Sequence, residues 1–223
     1  MDARERSFLE EAQRYHASGG DLDALVVVYI NSDSVPRCHD CPRGYTRLFY
    51  ASLQGWCAVI NWLLEQGADV HEEQGSEGLT PLHTAAYKDQ RDAAVLLLDA
   101  GARVDDRSGP GETALHRAAY RGHTSMCKLF LSRGASLDVR DNNGDDAEAH
   151  ARRYGLTASA DFLAAVRAAG GWRAYCDAQF LELRRELRAP GAAAESSERL
   201  YARVFVELPN DVFPRVLAFR PDF

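Results

Sequence analysis

Cys38, His39, Asp40 and Cys41 form the one local group in this chain whose residue types and spacing suit metal or redox chemistry. Two thiolates separated by two residues can share a tetrahedral ion, but a closed zinc site needs two further ligands. No second paired cluster occurs, and His71 or His83 would have to be brought near by the fold. The group does not open a helix either, so nothing lowers its thiol pKa. Ordinary free thiols are the expectation, and a metal- or redox-active protein using Cys38 and Cys41 is a remote alternative. His83 and His116 look like a second catalytic or metal pair. They stand at the same place in successive copies of a repeating pattern, however, where each is positioned to hydrogen-bond within its own turn. No nucleophile triad, phosphate loop or dinucleotide fingerprint appears; Gly109, Pro110 and Gly111 have no preceding strand. The sequence therefore assigns no catalytic residue, no metal ligand and no cofactor, and the expectation is a protein that is not an enzyme.

The elements that position these residues recur. GYTRLFYASLQG starts at Gly44, GLTPLHTAAYKD at Gly78 and GETALHRAAYRG at Gly111, and each is followed by an apolar run that closes in Gly-Ala. Thr46 and Thr80 are 34 residues apart and Thr80 and Thr113 are 33 apart. Such a period marks stacked repeats rather than one sheet or bundle. In each unit Thr80 or its counterpart caps a helix, Pro81 fits the first turn, and Leu82, Ala85 and Ala86 share the buried face. Gly55 and Gly122 reverse the chain after that helix, with Asp89 in the same place at a cost of up to roughly 1 kcal/mol. A second helix follows, apolar at Val59, Ile60, Leu63 and Leu64 in one unit and at Met126, Cys127, Phe130 and Leu131 in another. Gly67, Gly101 and Gly134 stop it. One such unit cannot bury its own apolar face, so stacking must do so.

The pattern resembles the ankyrin repeat, with its T-P-L-H-x-A signature and period of about 33 residues. The match is fullest over Gly78 to Ser108 and over Gly111 to Arg140, while the unit from Gly44 reads Thr46, Arg47, Leu48, Phe49 in place of the signature. Weaker copies flank these: Leu9, Ala12, Gly20 and the run from Leu25 to Val28 before them, and Asp141 to Val166 after them, with Glu148 where leucine is expected. The resemblance implies an all-α ankyrin-repeat solenoid of helix-turn-helix units with short β-hairpin-like fingers, followed by C-terminal helices. The expected domains are a repeat array over 1–169 and a helical extension over 170–223. The array divides into an N-terminal cap at 5–40, units at 41–74, 75–107 and 108–140, and a C-terminal cap at 141–169.

In an ankyrin-like stack the ends of the inner helices line a concave groove. There this chain carries Leu53 and Gln54, Tyr87 and Lys88, Tyr120 and Arg121, Arg153 and Tyr154. Tyrosine and arginine are the residues that most often anchor interfaces. Gln54, Tyr87, Lys88, Tyr120, Arg121, Arg153 and Tyr154 are accordingly the candidate partner-binding residues. The alternative is that the tyrosines pack against the next unit. Glu72, Glu73, Glu77, Asp105, Asp106, Asp138 and Asp141 place the opposite sign on the fingers, which would suit a partner with charges of both kinds.

A net charge of -7 over 223 residues opposes general nucleic-acid binding. The longest wholly apolar run, Ala24 to Ile30, is far short of the roughly 20 residues that span a bilayer. The charged N-terminus has no secretory h-region, and five cysteines without framework spacing fit a reducing compartment, so a monomer in cytoplasm or nucleus is expected. After Gly170 and Gly171 the period is lost. Trp172 to Arg188 reads as an amphipathic helix, 189–197 as a linker, and Glu198 to Val206 as another helical run. Leu208 to Phe219 resembles the opening of an F-box or the Leu-Pro helix of a SOCS box, which would imply a substrate-recruiting adaptor of a ubiquitin ligase. The competing expectation is that this apolar segment covers the last repeat.

Overall fold

The computed structural model describes residues 3–17 and 47–188. Cys38, Cys41, the second half of the N-terminal cap, the linker at 189–197 and the segment from Leu208 to Phe219 lie outside the described residues. Within them run ten helices: α1 (Ala3–Ala17), α2 (Arg47–Gln54), α3 (Cys57–Glu65), α4 (Pro81–Tyr87), α5 (Arg91–Asp99), α6 (Ala114–Arg121), α7 (Thr124–Ser132), α8 (Ala147–Arg153), α9 (Thr157–Ala168) and α10 (Trp172–Arg188). No strand occurs among the described residues. The architecture is all-α, a stack of helix pairs.

Inner helices pack on inner helices, α2 on α4, α4 on α6 and α6 on α8, and α2, α4 and α6 each pack on their own outer partners α3, α5 and α7. The small side chains make this possible, since Ala85, Ala86, Ala118, Ala119 and Ala151 are all fully buried. Leu82, Leu97, Leu115 and Phe130 fill the space between layers and are likewise buried, each stabilising the stack by roughly 2 kcal/mol. Leu64, expected in this set, is only half-buried. Where the unit from Gly44 lacks the signature, aromatic packing replaces it: Phe49 and Tyr50 are buried, and Trp56 meets Tyr50 at 5.5 Å and Phe8 of α1 at 5.2 Å. Glu5 of α1 also accepts a 2.8 Å hydrogen bond from the Ala58 N–H in the first turn of α3. A carboxylate there satisfies a free amide and complements the helix dipole.

Thr80 sits in extended conformation before Pro81, which occupies the first helical turn as its missing N–H allows. At the other end of α4, Asp89 adopts φ 58, the left-handed conformation that glycine takes at Gly122 with φ 75. The fingers are narrow turns. Gln74 and Leu79 exchange backbone bonds of 2.8 and 3.0 Å, and the Ser108 and Asp141 amides bond the carbonyls of Glu112 and Asp145. Neighbouring fingers are also tied together, by Gly109 N–H to the Glu77 carbonyl at 2.6 Å and by Asn142 N–H to the Pro110 carbonyl at 2.9 Å.

The chain divides into two compact units, 1–160 and 161–223, and α9 begins in the first and continues into the second. In the second unit Phe162, Trp172 and Tyr175 form a cluster with ring centroids 5.7 to 6.2 Å apart. Leu181 of α10 is 62% exposed, and Trp172 and Phe180 are half-buried. No helix of the described residues is long and apolar enough to cross a membrane.

Candidate functional site

Period and helix length together place the last residues of α4, α6 and α8 in one row. Tyr87 and Tyr120 stack with centroids 6.3 Å apart and planes 17° from parallel, and Tyr120 meets Tyr154 edge-on at 4.5 Å. The expected ladder is thus continuous over three units. Packing on a neighbour and exposure prove compatible, since Tyr87 and Tyr120 are half-buried and Tyr154 is 55% exposed. The guanidinium of Arg121 lies over the Tyr87 ring at 4.7 Å and the Lys88 ammonium approaches the same ring at 5.7 Å, both within cation–π range. Arg153 is engaged differently, in an ion pair with Asp145. Gln54 is exposed at the end of α2.

The fingers differ from expectation. Asp141, read as part of an exposed acidic rim, is buried. It has turned inward to organise its own finger: one carboxylate oxygen accepts from the Asn143 and Asp145 N–H groups, both at 2.9 Å, and the other from the Asn143 side chain at 3.1 Å and from His150 Nε2 at 3.0 Å. Burial alone would raise its pKa, yet the bonds from His150, Asp145 and Asn143 outweigh that and hold the carboxyl well below the usual carboxylate range. Other finger acids are also paired within the fold. Arg117 bridges Glu77 at 2.7 Å and Glu112 at 2.6 Å, Asp106 pairs with His71 at 3.1 Å, and Asp105 accepts from the Ser136 N–H at 3.1 Å.

Glu112, Asp141 and His150 lie close enough to suggest a metal site, with His150 Nδ1 at 4.0 Å from Glu112. Lone-pair counting argues otherwise. The two Asp141 oxygens already accept four hydrogen bonds, which fills the usual acceptor capacity of a carboxylate, and Glu112 is ion-paired to Arg117, which also holds Glu77. The Asp141 bonds join its finger to His150 of α8.

His83 and His116 behave as the repeat requires. In each, Nδ1 accepts from the backbone N–H of the preceding threonine at 3.2 Å, while the threonine hydroxyl lies at 2.8 Å (Thr80) or 2.9 Å (Thr113). Nε2 then donates forward to the next finger, to the Glu112 carbonyl at 3.0 Å and the Asp145 carbonyl at 3.3 Å. That tautomer follows from the donors around it. Burial pushes His83 down to about 4, so the ring is neutral near pH 7, and burial with the neighbouring His150 lowers His116. Cys127 is buried, which raises its thiol to about 12, and Cys176 is buried as well. Neither histidine offers a free lone pair to a substrate.

This geometry of repeated capping and stacked pairs is matched in sequence comparisons. Residues 14–108 match the family of ankyrin repeats in three copies, and residues 110–142 match the single ankyrin repeat. The chain belongs to the ankyrin-repeat family. It is also 38% identical over 78 residues to BCL-6 corepressor-like protein 1 of Homo sapiens, a stretch that makes up 34% of this chain and 4% of that relative. Ankyrin repeats generally mediate protein–protein interaction. In this ankyrin array Tyr87, Lys88, Tyr120, Arg121 and Tyr154 are in mutual contact, while Arg153 is turned to Asp145. Sequence reading missed Arg117, Glu112 and His150. The period held one clue: Thr84, Arg117 and His150 occupy equivalent places, where each unit carries a different polar group.

Proposed function

We propose that this ankyrin-repeat chain is a non-catalytic binding module for a protein partner, engaged through the inner-helix ends at Gln54, Tyr87, Lys88, Tyr120, Arg121, Arg153 and Tyr154 and through adjacent finger tips. The observation that carries this reading is the uninterrupted tyrosine stack across three units, with a cation over its first ring and more than half of Tyr154 open to solvent. Rigid aromatics gain contact area at little entropic cost, and stacking holds these rings in place before a partner arrives. The repeat array is taken to run over 1–169 with 170–223 as an extension, in a reducing compartment of the cell. A ligase-adaptor role would rest on Leu208 to Phe219, and no described feature favours it.

Affinity capture with the full chain tests the proposal. A Tyr120→Ala, Arg121→Glu bait should lose the wild-type partner, with affinity falling roughly tenfold or more. Equal capture by a folded double variant would overturn the assignment.

A further inference from the structure

We infer that the segment docking on this row is acidic and extended. The inference rests on the binding role proposed above and narrows the partner's chemistry. Lys88 and Arg121 are exposed, and neither has a carboxylate partner among the described residues. Their contacts to Tyr87 orient the two cations without neutralising them, because a ring face carries no net charge. Most acids that might have balanced them are used elsewhere. Glu77 and Glu112 are held by Arg117, Asp145 by Arg153, Glu148 by Arg152 at 2.8 Å, and Asp141 by His150. Asp89, the nearest acid in sequence, faces His123 at 3.9 Å and accepts from Ser125 at 3.4 Å. A partner meeting this row therefore finds unbalanced positive charge beside aromatic surface, although the chain as a whole is at -7.

The spacing fits an extended chain. Alternate residues of a strand lie about 6.6 Å apart, and Tyr87 and Tyr120 are separated by 6.3 Å. Two successive same-face side chains of such a segment would meet the Tyr87 and Tyr120 step, beside which Lys88 and Arg121 stand for its carboxylates; the Tyr120 to Tyr154 step is shorter, at 4.5 Å. A polyphosphate chain is a poorer occupant, since it extends beyond the row into the field of a net acidic protein.

Selection of phage-displayed random peptides against the intact chain tests the idea, because the overall charge alone would enrich cationic sequences. Enriched peptides should carry an excess of Asp and Glu, and Lys88→Glu, Arg121→Glu should weaken them roughly tenfold or more while circular dichroism stays unchanged. Absence of enrichment, or enrichment of neutral or cationic peptides, overturns the acidic partner. If those peptides are nonetheless lost on Tyr120→Ala, the groove remains the binding site and only the charge inference fails. Acidic peptides that bind the charge-reversed variant undiminished would also overturn it.

Discussion

His83 shows how one side chain serves the fold twice. Its Nδ1 closes the start of α4 and its Nε2–H reaches the next finger, so both nitrogens are committed only while the ring is neutral. Its folded pKa, about 4, lies below the ordinary 6.5. The unfolded chain therefore takes up a proton first as pH falls, and the stability tied to neutral His83 is complete above about 6.5 and lost toward 4. Urea unfolding at pH 7 and pH 5 should show a loss of about 2 kcal/mol from this site, largely absent in His83→Gln. Equal pH dependence in the variant would disprove that account. His116 acts in the same direction.

At the scale of the element, what distinguishes one unit from the next is how each helix ends and how each finger is tied. Asp89 holds φ 58 where the neighbouring units use glycine. Asp89→Gly should raise stability by up to about 1 kcal/mol, less the weak exposed contacts to Ser125 and His123. A urea midpoint lower than wild type would show that those contacts outweigh the backbone strain. The opposite case is Gly111, at φ 85, where a β-carbon would come within 3.0 Å of the Asn142 backbone nitrogen. That glycine is required by the approach of the next finger as well as by its own turn.

For the molecule as a whole, stability comes from contacts between units. Leu97 is fully buried in α5, which packs on both α3 and α4. Leu97→Ala should cost about 3 kcal/mol, measured by denaturant unfolding, because the interlocked helices around it cannot collapse into the space. A loss below about 1 kcal/mol would mean that the units fold with little mutual support.

Spacing and residue type were enough to read the helix pairs, the glycine stops and the burial of Cys127, because each follows from bonding and packing within a unit that repeats. The row of Tyr87, Tyr120 and Tyr154 was legible for the same reason, as equal register stacks equivalent positions. The state of the charges was not legible in this way. Asp141 looked like any exposed finger acid, and its burial depends on His150 of the helix that follows; Glu77 is claimed by Arg117 of the next unit, which also holds Glu112 of its own. By itself, then, the sequence determined the scaffold, since local periodicity repeats its instructions every unit. Only the tertiary structure decided which charges remain for a partner, because ion pairing depends on distances between a finger and the helices of its own and the next unit that spacing in the sequence does not fix.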